Sequence, residues 1–246
     1  MLLIAVVFVL ALFACTFATL IIAASRNVDG ISLQQLAHQD NKAISALGND
    51  VRLNLPAQAA AYLLTLWAMA TLARRRYRTA FGRAISWQWP AAVWPRYVLA
   101  GTLLWLAVIG LSRVLPNPKE QVPIEQAFQS TAAAYVLAIF GITLGPLMEE
   151  LFFRGMLYPA LARRVGMTAS IVITALFFAL LHASQLGNSW SPLLIIFVVG
   201  VVLTVIRARS GSVAAGTIAH AAYNSALFTA IYFSTGHFHN LEQLAH

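Results

Sequence analysis

Acidic side chains are scarce in this chain. Eight Asp and Glu stand among 246 residues, against sixteen Lys and Arg. Charged residues of both signs make up 10% and apolar residues 60%, where a soluble domain carries roughly 25% and 45–50%. So few charges cannot cover a water-exposed surface, which excludes an ordinary soluble protein and leaves an integral membrane protein. The net charge of +8 does not make it a nucleic-acid binder, because the basic residues line no polar face. They cluster between apolar runs, as Arg74, Arg75, Arg76 and Arg78 do, which is the pattern of loops facing anionic lipid. Cysteine is rarer still. Cys15 stands alone, so no intrachain disulfide can form. It lies in LFAC within the first apolar run, where Phe13 and the lack of a preceding basic residue argue for a retained helix over a cleaved leader. The chain also lacks an internal repeat, a low-complexity tract, a glycine-rich phosphate loop, an HExxH signature and a serine elbow.

What is there is a series of apolar runs, each near the ~20 residues that cross a bilayer. They fall at 1–24, 56–73, 96–114, 131–162, 168–186, 192–207 and 212–234. The expected fold is an all-α polytopic bundle of seven to eight transmembrane helices, one integral membrane domain over 1–246. The fourth run is too long for one simple span, and Gly145-Pro146 is expected to break or kink it. Connector 25–55 reads as a surface amphipathic helix. Connector 74–97 carries Tyr77, Trp87, Trp89, Trp94 and Tyr97, aromatics suited to the headgroup level. If the spans alternate, 11 of the 16 basic residues share one side, Arg154, Arg163, Arg164, Arg207 and Arg209 among them. The positive-inside rule then sets the N-terminus inside and the C-terminus outside.

Ionisable groups inside apolar spans are costly and point to function. Glu149 and Glu150 are adjacent, so they point about 100° apart on a helix. Glu150 and Arg154 are four apart and share a face, so they are expected to pair. Glu149 is then free for proton transfer. His182 lies inside the fifth run, in FFALLHAS, and His220 and Asn224 share a face of the last. One carboxylate, two imidazoles and an amide suit hydrolysis. Glu149 would activate water beside His182, while His220 and Asn224 stabilise an oxyanion. Glu149, His182 and His220 could instead hold zinc. The other histidines, in connectors or the tail, have no assigned role. Counted along simple helices, His182 lies about 21 Å and His220 about 12 Å from the arginine-rich side, with Glu149 near that side. These depths meet near mid-membrane if the fifth helix begins in the headgroup layer and the break at Gly145-Pro146 lets the Glu149 helix re-enter, or if the boundaries of these runs lie elsewhere.

EELFFR, FALLH and HAAYN, in that order over residues 131–234, match the EExxxR, FxxxH and HxxxN motifs of the CAAX protease and bacteriocin-processing family. The chain resembles these intramembrane endopeptidases, which include the type II CAAX prenyl endopeptidases. Residues 1–130 share with them only the presence of spans. The resemblance implies a site inside the membrane reached from the cytosol. It makes Glu149 the base, His182 its partner, His220 and Asn224 the oxyanion donors, and Glu150 and Arg154 their support. It implies a protein or peptide substrate, prenylated in part of the family, and leaves zinc possible; the metal-free glutamate route is the one favoured here. A bacterial inner membrane is the expected location. Two other readings use the same residues: a non-catalytic binding or immunity protein of this fold, and a proton-coupled transporter.

Overall fold

The computed structural model describes residues 51–116 and 130–241, together with 14, 15, 18, 19, 21, 22, 38 and 128. The protein is all-α, with no strand among the described residues. The chain forms two compact units, Met1–Arg78 and Thr79–His246. In the first, residues 14, 15, 18, 19, 21 and 22 are helical, and α1 runs Val51–Tyr77. Helix α1 therefore starts inside the expected connector 25–55, whose other residues, His38 apart, lie outside the described ones. Pro56, in the second turn of α1, removes one helical bond without stopping the helix.

The second unit holds α2 (Phe81–Ala84), α3 (Trp94–Ser112), α4 (Thr131–Ile142), α5 (Leu144–Phe152), a π turn (Phe153–Leu157), α6 (Tyr158–Val165), α7 (Met167–Leu181), α8 (Trp190–Ser210) and α9 (Val213–Ser234). Among the described residues, four stretches are long and apolar enough to cross a membrane: Leu53–Arg75, Trp94–Ser112, the interrupted Thr131–Val165 and Trp190–Ser210. The protein is an integral membrane protein.

Small residues set the packing. α3 and α9 form the most extensive pairing, because Gly101 lets the backbones meet. A Cβ at Gly101 would lie 2.1 Å from the Ala219 carbonyl oxygen, the close approach that small residues give in membrane helices. Around that crossing Tyr97, Leu104, Val199, Leu203, Ala215 and Tyr223 form the core. α7 and α8 meet where Gly200 faces Ala175.

The break in the long segment falls at Thr143 (φ −113, ψ −82), not at Gly145-Pro146. Pro146 has no N–H to give the carbonyl four residues back, at Ile142, and its ring crowds that carbonyl. The helix therefore opens one turn before the proline.

Two hairpins position the site. α6 and α7 turn at Gly166, whose φ of +80 suits a residue without Cβ. α8 and α9 turn at Gly211–Ser212. Gly211 takes a left-handed φ of +69, and the Ser212 hydroxyl caps α9 by accepting from the Ala215 N–H at 3.3 Å. The 85–93 loop braces this corner, with Val213 N–H donating to the Ser86 carbonyl at 3.1 Å and the Ser212 hydroxyl to that of Gln88.

Candidate active site

Glu150 and Arg154 are both fully buried, and Arg154 Nη1 lies 2.8 Å from Glu150 Oε1. This is the i, i+4 pair that helical spacing anticipates, and its burial excludes a solvated headgroup cluster. The rest of the guanidinium is engaged too. Nε donates to Thr204 Oγ1 at 3.2 Å and Nη2 to the Gly200 carbonyl at 2.9 Å. Its plane sits 4.6 Å from the Phe178 ring centre, within cation–π range. A buried ion pair holds together only when its remaining polar atoms are satisfied, and α8 supplies those partners.

His220 joins the pair from α9, with Nδ1 3.1 Å from Glu150 Oε1. The other oxygen, Oε2, has no hydrogen-bond partner among the described residues. It fills the space where a Cβ on Gly216 would stand, 2.6 Å away. Gly216 lies one turn before His220, so the glycine admits Glu150 and the histidine then binds it.

Glu149 points elsewhere, as its 100° offset requires. Its side chain keeps 23% exposure, and both imidazoles flank it. His182 Nε2 lies 3.8 Å from Oε1, and His220 Nε2 lies 3.8 Å from Oε2. Hydrogen bonds fix which nitrogens carry protons. His182 Nδ1 is 2.8 Å from the Phe178 carbonyl, which can only accept, so Nδ1 is the donor. His220 Nδ1 likewise donates to a carboxylate. In each neutral ring Nε2 is then an acceptor. Phe178 also packs on both rings, at 4.8 Å from His182 and 5.9 Å from His220.

Three of the sequence-predicted residues thus converge on one point: Glu149, His182 and His220. Asn224 is engaged differently, its amide donating to the Gly141 carbonyl at 2.6 Å and tying α9 to α4. Glu149, His182 and His220 are also the three residues named above for zinc; among the described residues no group of three His, Cys, Asp or Glu is placed to hold a metal ion.

The expected depths also need correcting. Glu149 is not near the arginine-rich end, and no re-entrant turn is needed. The helical segment continues past it to Val165, and α7 stops at Leu181 with His182 as its cap instead of running to 186. Glu149 stands 17 residues before Gly166 and His182 stands 16 after it, so the hairpin sets them at one level. At 1.5 Å per residue that level is about 24 Å from the turn. The shorter count from Gly211 to His220 reflects a second hairpin of different length.

Arg154 and Arg207 were counted among the loop arginines, yet both are buried. Without them the arginine-rich side keeps nine basic residues, still more than the other side's five. Sequence reasoning also missed Thr204, Gly200, Arg207 and Gly216. Of these, Gly216, at i−4 from His220, carried the one readable signal.

Residues 131–226 match the family described as Type II CAAX prenyl endopeptidase, Rce1-like. The match covers α4 through most of α9, including the three motif segments. No curated protein and no solved structure matches.

Proposed function

We propose that this chain, whose residues 131–226 match the type II CAAX prenyl endopeptidase family, hydrolyses a peptide bond of a membrane-associated protein or peptide, with 131–234 as its catalytic core. One observation carries the residue assignment. The Glu149 carboxylate is flanked by two imidazole Nε2 atoms at 3.8 Å, each ring oriented through its Nδ1. A gap of this size exceeds a direct hydrogen bond and suits groups that act through one water.

A water in that gap donates one O–H to Glu149 and the other to His182 Nε2. Its lone pair is left to attack the scissile carbonyl carbon. Glu149 takes the proton as the new C–O bond forms, then delivers it to the amide nitrogen as the C–N bond breaks. The oxyanion needs donors. Asn224 retains one amide N–H beyond its bond to Gly141. His220 donates from Nε2 only as an imidazolium, whose Nδ1–H faces the Glu150 carboxylate. No step runs through a metal. A prenylated substrate and a bacterial inner membrane are part of this proposal, by family likeness.

The test is the protein reconstituted in lipid vesicles with a farnesylated peptide ending in a CAAX sequence and its unprenylated twin. Wild type is expected to cleave the farnesylated peptide, in H₂¹⁸O to place one ¹⁸O in the new carboxyl group, and to be insensitive to EDTA. Glu149→Gln is expected to insert normally and to cleave at least ~10²-fold more slowly, the lower range for general-base loss. Full activity in Glu149→Gln would refute the base assignment. Loss of activity to EDTA, restored by zinc, would refute the metal-free route.

A further inference from the structure

The π turn has a cause in the sequence. Pro159 has no N–H and cannot answer the Gly155 carbonyl four residues back. The chain widens by one residue there, and the Tyr158 N–H bonds the Phe153 carbonyl, five residues back. This leaves the Arg154 carbonyl without a helical donor. Its α partner, the Tyr158 N–H, has moved to Phe153, and its π partner, position 159, is proline. Such an orphan inside a membrane bundle is expensive unless another group meets it.

Arg207 meets it. Its Nε donates to the Arg154 carbonyl at 3.1 Å, across from α8. Arg207 is 8% exposed, so it is no headgroup arginine, and its guanidinium carbon lies 6.0 Å from the Tyr158 ring centre, against the same turn. The linkage continues into the site. Arg154 holds Glu150, Glu150 holds His220, and His220 flanks Glu149.

We propose that Arg207 is a positioning residue: by occupying the carbonyl that Pro159 leaves orphaned, it fixes the Arg154–Glu150–His220 chain and with it the imidazole beside Glu149. The effect on rate rests on the endopeptidase reading above. The effect on the His220 ring does not.

The measurement uses the full chain in lipid nanodiscs, as wild type, Arg207→Met, Pro159→Ala and the double variant. Two quantities are read: kcat and KM on the farnesylated peptide, and the imidazole ¹⁵N resonances of His220, assigned by their loss in His220→Gln. Arg207→Met should lower kcat about 10-fold or more with KM within about two-fold, since misplacing a reacting group by ~1 Å can cost 10²-fold. It should also shift the His220 Nδ1 resonance. Pro159→Ala in that background gives position 159 an N–H and should recover both. A role in charge or folding alone would not respond to that second change. If Arg207→Met fails to insert, Arg207→Lys with and without Pro159→Ala gives the same reading, because Lys keeps the charge and loses the guanidinium fork. Wild-type kcat and His220 resonances in Arg207→Met, or no recovery in the double variant, would overturn the proposal. If wild type cleaves nothing, the endopeptidase reading fails while the His220 spectra still decide the role of Arg207.

Discussion

Gly216 has no side chain where Glu150 needs room. A methyl group there would fall 2.6 Å from a carboxylate oxygen, and Glu150 cannot swing aside because Arg154 and His220 hold its other oxygen. Gly216→Ala should therefore insert and yet lose most activity, read as a fall in kcat with expression near wild type. Glu150→Gln removes the counter-charge of a fully buried Arg154. Breaking one side of such a pair costs about 3–5 kcal/mol, so its melting temperature or yield should fall well below that of Glu149→Gln. Equal stability of the two variants would mean that the pair contributes little. At this scale much was legible, because adjacent residues on a helix must diverge and residues four apart must align. That separated Glu149 from Glu150 and paired the latter with Arg154. His220 on Glu150 was not legible, since nothing in the spacing of one helix states which groups a neighbouring helix presents.

Helix boundaries were harder to read than helix existence. The run at 131–162 was visible as too long, and Pro146 as a disruption, but a proline acts on the carbonyl four residues before it, so the break lies at Thr143. The π turn was hidden because it depends on Pro159 together with a donor from α8. Gly101 looked like any glycine in a span, and its role comes from the Ala219 carbonyl 2.1 Å from where its Cβ would be. Gly101→Ala should separate α3 from α9 and destabilise the bundle by about 1–3 kcal/mol or more, the range for overpacking. Gly110→Ala, on the same helix with nothing within 4 Å of the added carbon, should be neutral or stabilising by up to about 1 kcal/mol. Thermal unfolding of the two variants in the same detergent checks the contrast.

For the molecule as a whole, composition alone fixed the membrane and the all-α class, since 10% charge permits little else. Orientation follows from where the arginines remain once the two buried ones are set aside. The turns at 163–166 and 207–212 should face the cytosol and the 182–189 turn the opposite side. Single cysteines at Arg164 and Gly187, placed in a Cys15→Ser background and labelled with an impermeant maleimide in intact cells, should react only at position 187. The opposite pattern would invert the topology. The central claim is that Glu149 activates water, and peptide termini from cells making wild type or Glu149→Gln at matched levels test it most directly. The account predicts new termini in membrane-associated proteins that vanish with Glu149→Gln, and the cut sites would define the substrate class. Identical termini from both, with both proteins folded in the membrane, would contradict it and favour a binding or immunity protein built on the same helices.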